Sequence, residues 1–373
     1  MALNQVGLER LNTATTDKIG VRKNLIINGA MQVAQRGTSF TSVTASAYHL
    51  DRFQYNLNGT VGAATVTQNT VTDLAGFKKS LKVDCTTADA SLAASDRLTL
   101  RYAFEGQDLQ QAAKGTSSAK QLTLSFYIKA TKTGTQIVEL FDHDNTRHCA
   151  KSVTISQSNT WEKKTITYPA DTTGALDNDN ANSISIFFGI ACGTDFTSGT
   201  LATAWAANTN ANRFVGQVNH FDNTANNFEI TGVQLEVGSV ATDFEHRSIS
   251  DELLRCYRYF QILSSNTSGG LNAHSRYPLF GNGTNSSIWY AYHKATMRVK
   301  PSLVKSGITT STIDIYNYSA SATATFNNMV IAEGDENHSQ MVLTTTNNIS
   351  TAQIVSWRWS TNADCYFAVS SEI

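Results

Sequence analysis

Apolar and polar residues alternate along much of this chain with the period of two that belongs to a pleated strand. In QLTLSFYIKA, Leu122, Leu124, Phe126 and Ile128 fall on one face, and Thr123, Ser125, Tyr127 and Lys129 on the other, which predicts a strand with one buried side. The same pattern predicts strands over residues 98–104, 136–141, 152–156, 163–168, 183–191 and 227–237, with turn-rich stretches such as KTGT and ADTTGALDNDNAN between them. Many short strands and frequent turns point to a sandwich or jelly roll. Asn28 and Gly29, inside NLIINGAMQVAQRGTSF, read as a hairpin corner, because Asn-Gly tolerates the positive φ of such turns. A phosphate-cradling loop would need several glycines leading into a helix, and this stretch has neither.

One segment departs from the period of two. In SISDELLRCYRYFQIL, Ser248 and Asp251 form a capping pair, and Ile249, Leu253, Cys256, Phe260 and Leu263 recur at spacings of 4, 3, 4 and 3. This predicts an amphipathic helix whose apolar stripe either packs on its own domain or forms an oligomer seam. The following SSNTSGGLNAHS reads as a linker. Beyond it, strands are predicted at 287–293, 312–318, 324–331, 340–345, 352–359 and 365–369, a second and smaller β-sandwich. Residues 1–22, with Leu3, Val6, Leu8 and Leu11 spaced among polar residues, form an arm that cannot make a core alone.

Composition narrows the function classes. The 373 residues fit two or three units at about 150 residues each. Charged residues make up 16%, below the roughly 25% of an average soluble domain, and Thr, Ser and Asn take their place, as suits strands and turns. A net charge of -1 without a basic cluster argues against nucleic-acid binding by a broad basic face. The five cysteines (Cys85, Cys149, Cys192, Cys256 and Cys365) have no C-x-x-C spacing, so neither a disulfide framework nor a zinc cage is expected. A chain folded in a reducing cytoplasm fits. The first residues lack the layout of a secretory signal, and the most apolar run, 184–192, is too short to cross a bilayer, so no membrane insertion is expected.

Candidate chemistry is sparse. FDHDNTRHCAK gathers Asp142, His143, Asp144, His148 and Cys149, which invites a metal site, but the favoured reading is the solvated polarity of a loop between strands. Asp177 and Asp179 resemble the start of a calcium loop, yet Ala181 stands at the third ligand position and no glycine or closing Glu follows, so an Asn and Asp turn is the expectation. No G-x-S-x-G occurs, and paired carboxylates for glycoside hydrolysis cannot be picked from 30 acidic residues. The expectation is no catalytic residue, no metal and no cofactor, with a polysaccharide-degrading enzyme as the alternative. The aromatic residues of the second unit are more telling. Tyr290 and Tyr292 share one strand face, Trp289 shares the other with Ala291, and Trp357 and Trp359 again share a face. Aromatics on both sides of a strand leave one set free to stack on sugar rings, which makes these five candidate glycan or receptor contacts; filling a small core is the competing reading.

Taken in order, NLIINGAMQVAQRGTSF with LDRF at 50–53, LTLSFYIKATKTGT, TWEKKTITYPADTTG and FEITGVQLEVGSVATDFEHRSISDELLRCYRYFQ resemble a module of bacteriophage tail fibres and related virion proteins whose fold is like the jelly-roll carbohydrate-binding modules. The resemblance spans residues 23–261, and GVQLEVGS with ELLRCYRYFQ is its most specific part. It implies an all-β, non-enzymatic virion appendage, assembled in the host cytoplasm and usually homotrimeric. Residues 1–22 would be the attachment arm toward other virion proteins, 23–247 the jelly roll, 248–263 the connecting helix, and 264–373 the distal unit that meets a host surface glycan or receptor. The chain lacks the long fibrous repeats of many tail fibres, so a short fibre, an adaptor-bound tip and a capsid-surface fibre all stay open.

Overall fold

A computed structural model describes residues 23–266, 279–281, 286–306, 308, 313–317, 322–345, 354–359 and 365–373; for 264–266, 279–281, 287, 313–317, 322–326, 354–359 and 365 it describes the backbone alone. Strands β1 (Ser39–Val43), β4 (Ala63–Thr70), β5 (Lys79–Thr87), β7 (Leu122–Ala130), β10 (Glu162–Tyr168) and β13 (Asn227–Val237) form a six-stranded sheet in the order β1-β4-β5-β13-β7-β10. Strands β2 (Ala47–Leu50), β3 (Phe53–Asn58), β6 (Arg97–Glu105), β8 (Gly134–Asp142), β9 (Arg147–Ile155), β11 (Asn182–Cys192) and β12 (Ala206–Ala207) form a seven-stranded sheet in the order β12-β9-β8-β11-β6-β3-β2. Neighbours run antiparallel, and the chain crosses repeatedly from one sheet to the other, the winding of a jelly roll.

The alternation seen in the sequence fills the space between these sheets. Leu124, Phe126 and Ile128 of β7 share one core with Leu100 and Tyr102 of β6 and with Ile186 and Phe188 of β11. The rings of Phe126 and Phe188 meet edge to face, centroids 5.1 Å apart. Each such burial contributes roughly 1.5–3 kcal/mol. The expectation of one wet face fails on several strands, because later segments cover the outsides. Thr123 and Ser125 are buried, and Thr123 donates to the Gly238 carbonyl at 2.7 Å. On the outer side of the seven-stranded sheet, Ile137, Ala150 and Phe187 pack with Phe196 and Phe214 from the stretch after β11.

Asn28 has the positive φ that Asn-Gly suggests, 61°, but no hairpin surrounds it. Its buried side chain donates to the carbonyls of Val33 and Asp51 and accepts from the Val33 amide, pinning a loop that precedes the first described strand. Gly232 marks a register shift of β13 between Thr231 and Gln234, with φ 60°. A Cβ there would lie 2.7 Å from the Phe77 ring, so the GVQLEVGS stretch needs glycine at this point.

The predicted helix is present but shorter. It spans Ile249–Tyr257, and the Ser248 hydroxyl accepts from the Asp251 amide at 3.2 Å, as the capping pair implies. Past it, the aromatic and β-branched run around Phe260 and Ile262 favours extended backbone. Phe260–Asn266 is strand β14, paired with β22 (Cys365–Ser370), which also pairs with β17 (Ser302–Ser306) in a three-stranded sheet. The remaining strands, β15 (Leu279–Gly281), β16 (Ser286–Tyr292), β18 (Ile313–Asn317), β19 (Ala322–Gly334), β20 (His338–Thr345) and β21 (Ile354–Trp359), close in the order β15-β16-β20-β19-β18-β21. Six strands of the second β unit thus close into a barrel beside this three-stranded sheet, where two open layers were expected.

The two β units are wired together by charge. Glu372 takes Arg52 at 2.7 Å and Arg36 at 3.2 Å, and Arg52 is 1% exposed. Glu105 of β6 takes Arg258 at 2.6 Å and the Tyr259 hydroxyl at 2.5 Å. Arg298 donates to the carbonyls of Asn180 and Ser371. No helix among the described residues is long and apolar enough to cross a membrane.

Candidate functional site

Three neighbouring barrel strands build the candidate surface. Strand β16 alternates, so Trp289 and Ala291 point inward and join Met329, Met341 and Leu343 in a small core. Tyr290 and Tyr292 point outward and are 48% and 81% exposed. Register fixes their neighbours. Tyr290 lies opposite Gln340 of β20, which lies opposite Glu333 of β19; one row further, Tyr292 lies opposite His338. In the other direction Ile288, Val342 and Val330 form an apolar row, with Val330 45% exposed. Residues two apart on a strand stand about 6.8 Å apart, so the tyrosines form a two-step aromatic rail beside amide, imidazole and carboxylate groups.

Hydrogen bonds hold this wall in place. Gln340 Nε2 donates to the Tyr290 hydroxyl at 2.7 Å. The Asp335 carboxylate accepts from the amides of Asn337 and His338, which hold its pKa below the ordinary value, and it also pairs with the His338 ring at 3.0 Å. Behind the wall, the His293 ring contacts the Glu336 carbonyl and the Ser339 hydroxyl, and burial lowers its pKa. The arrangement offers stacking faces and polar groups, the means of binding a sugar chain.

Of the five predicted aromatic contacts, Tyr290 and Tyr292 are where a ligand can reach them. Trp289 is 3% exposed and belongs to the core. Trp357 and Trp359 lie on β21 opposite Ile315 and Ile313 in register, and their side chains lie outside the described residues. The seam residues separate as well. Ile249 is exposed and Leu253 half-buried, while Cys256 and Phe260 are closed inside their own chain and Leu263 packs against the barrel core. The 4, 3, 4, 3 spacing fails as a single stripe because the helix ends at Tyr257, which moves Phe260 and Leu263 onto a strand.

The loop polarity expected of FDHDNTRHCAK is corrected too. Asp142 closes β8 fully buried and binds Lys114, which also meets Asp171 at 3.1 Å. His148 is buried against Glu139 at 2.9 Å, and Arg213 meets the same carboxylate at 2.6 Å. Burial alone would raise the Glu139 pKa, but Arg213 and His148 outweigh it and keep the carboxyl below its ordinary value. Among the described residues no group of three or more His, Cys, Asp or Glu is placed to hold a metal ion. Asp179 instead closes its own turn by accepting from the Ala181 amide at 2.9 Å. Two further tryptophans, Trp161 and Trp205, sit half-buried on the jelly roll, each hydrogen-bonded within the chain and faced by a lysine.

Gln340, His338, Glu333 and Val330 were not legible as site residues. Their signal is cross-strand register, which a single sequence leaves open.

No family model matches the chain, and no curated protein matches it. Solved structures similar to it include the enzymatically active domain of tailspike protein 4 from bacteriophage CBA120, at 14% identity and a TM-score of 0.29, over 57% of this chain and 21% of that one. A putative sugar binding protein from Bacteroides thetaiotaomicron is 14% identical with a TM-score of 0.30, over 58% of this chain and 100% of that one. A xylan-binding domain from Paenibacillus barcinonensis is 8% identical with a TM-score of 0.27, over 60% and 100%. The chain thus spans about a fifth of the tailspike domain. Likeness at these scores carries no weight for function, and the all-β architecture stands on the strands themselves.

Proposed function

We propose that this chain is a non-enzymatic component of a bacteriophage particle, a tail fibre or receptor-binding protein that holds a host surface glycan against the Tyr290 and Tyr292 wall. The observation that carries the reading is the pair of exposed tyrosines on a strand whose alternate residues are core. Three of the six large apolar side chains exposed among the described residues, Tyr290, Tyr292 and Val330, share this one wall. The sequence resemblance to virion appendages supplies the setting: assembly on the particle, attachment through residues 1–22, and a homotrimer. Ile249 and Leu254, both exposed on the connecting helix, offer apolar surface for contact between copies.

Adsorption tests this directly. The purified chain should protect host cells from phage attachment, and the Tyr290→Ala, Tyr292→Ala double variant should lose that protection by at least tenfold. Protection that survives the double variant would move the contact elsewhere. No protection at all would favour a purely structural capsid or adaptor role, and oligosaccharide released from host capsule would make the chain an enzyme.

A further inference from the structure

We infer that the Tyr290 and Tyr292 wall selects an uncharged, N-acetylated sugar chain and rejects one carrying carboxylates. This rests on the reading of that wall as a glycan site and adds the chemical class of the ligand.

The argument is one of charge and shape at the wall. Glu333 is exposed and follows Gln340 in the same cross-strand row as Tyr290. Asp335 stands beside His338, in the next row. Two carboxylates, Glu333 and Asp335, therefore border the tyrosines, and the imidazole of His338 is already paired with the second. Among the described residues, Lys294, two residues past Tyr292, is held by the Ile262 carbonyl at 3.2 Å and the Tyr257 ring, and Lys305 reaches Asn328 at 2.9 Å. Asn328 lies opposite Thr344, four residues along β20 from Gln340, about 13 Å away and beyond a Debye length of roughly 8 Å at physiological salt. A carboxylate-bearing sugar stacked on Tyr290 would thus meet like charge, while the described lysines Lys294 and Lys305 are held by other partners, and like charges set against each other are disfavoured. The row Ile288, Val342 and Val330 adds the positive half of the choice: it gives an N-acetyl methyl an apolar seat next to the Tyr290 ring.

Isothermal titration of the full chain with a matched pair of probes tests this. An N-acetylglucosamine oligomer carries the acetyl groups alone, and hyaluronate alternates the same sugar with a carboxylated one. The oligomer should bind at least tenfold tighter than hyaluronate, and tighter than dextran, which has no acetyl group. Glu333→Lys, an exposed substitution, should narrow the gap to hyaluronate to threefold or less. Hyaluronate binding as tightly as the oligomer, and weakening with Tyr292→Ala, would overturn the inference while leaving the wall a glycan site. No binding by either probe, or binding that Tyr290→Ala and Tyr292→Ala leave unchanged, would remove the wall as a glycan site and the inference with it.

Discussion

The jelly roll and the barrel use the same strand chemistry to opposite ends. In the jelly roll, even the outer faces of central strands are covered: β11 and β13 are buried at every position but their first and last. Polar groups there are enclosed and paired, as with Glu139 between Arg213 and His148. In the barrel, the described core is small and rich in methionine, and the opposite face of the same strands carries tyrosines toward solvent. Methionine fills irregular space with little demand on shape. The difference teaches where the two units place their polar and aromatic groups: paired inside in the first, toward solvent in the second.

The largest test of that contrast strikes the jelly-roll core. Phe188→Ala should lower stability by about 3–5 kcal/mol in urea unfolding, since it empties the seat opposite Phe126. A loss below about 1 kcal/mol would refute the tight packing claimed for this unit. Next comes the joint. Glu372→Ala leaves the buried Arg52 without its carboxylate, at a cost of about 3 kcal/mol, and should split unfolding into two steps seen by calorimetry. One unchanged transition would mean that Glu105 with Arg258 and Arg298 with Asn180 hold the units together without Glu372.

Acid should act on the jelly roll through its buried imidazoles. Burial, with Arg36 nearby, holds His49 down to about 4, and burial with Lys132 nearby holds His220 down to about 3. Both stay neutral in the folded chain while the unfolded chain takes up protons near pH 6.5. Stability is therefore intact above about pH 6.5 and falls as pH drops toward 4, by up to about 1.4 kcal/mol per pH unit for each ring. A melting temperature that stays flat from pH 7 to pH 4.5 would contradict these neutral rings. The smallest effect belongs to the wall: Tyr292→Ala should shift stability by no more than about 0.5 kcal/mol while removing glycan binding. A large loss of stability would show that the ring is structural.

How much of this was legible depends on the range of the cause. The strands at 227–237 and 163–168 follow from local alternation, and the structure has them at Asn227–Val237 and Glu162–Tyr168. The outward turn of Tyr290 and Tyr292 was readable as parity, but which face was wet was not, because that is decided by Met341 and Met329 from distant strands. The helix was overextended because its spacing continues past Tyr257, while the pairing of Phe260 with Ser370 is more than a hundred residues away. Burial of Asp142 and His148 was likewise hidden, since it depends on Lys114, Glu139 and Arg213 arriving from elsewhere.

The anchoring of Glu372 has a mechanical side. The barrel leaves the jelly roll through the Ile249–Tyr257 helix and comes back to it at Arg36 and Arg52, so it is gripped at both ends like the bail of a bucket. A tug on anything held at Tyr292 would be shared between two attachments, and twisting about the helix alone would be resisted.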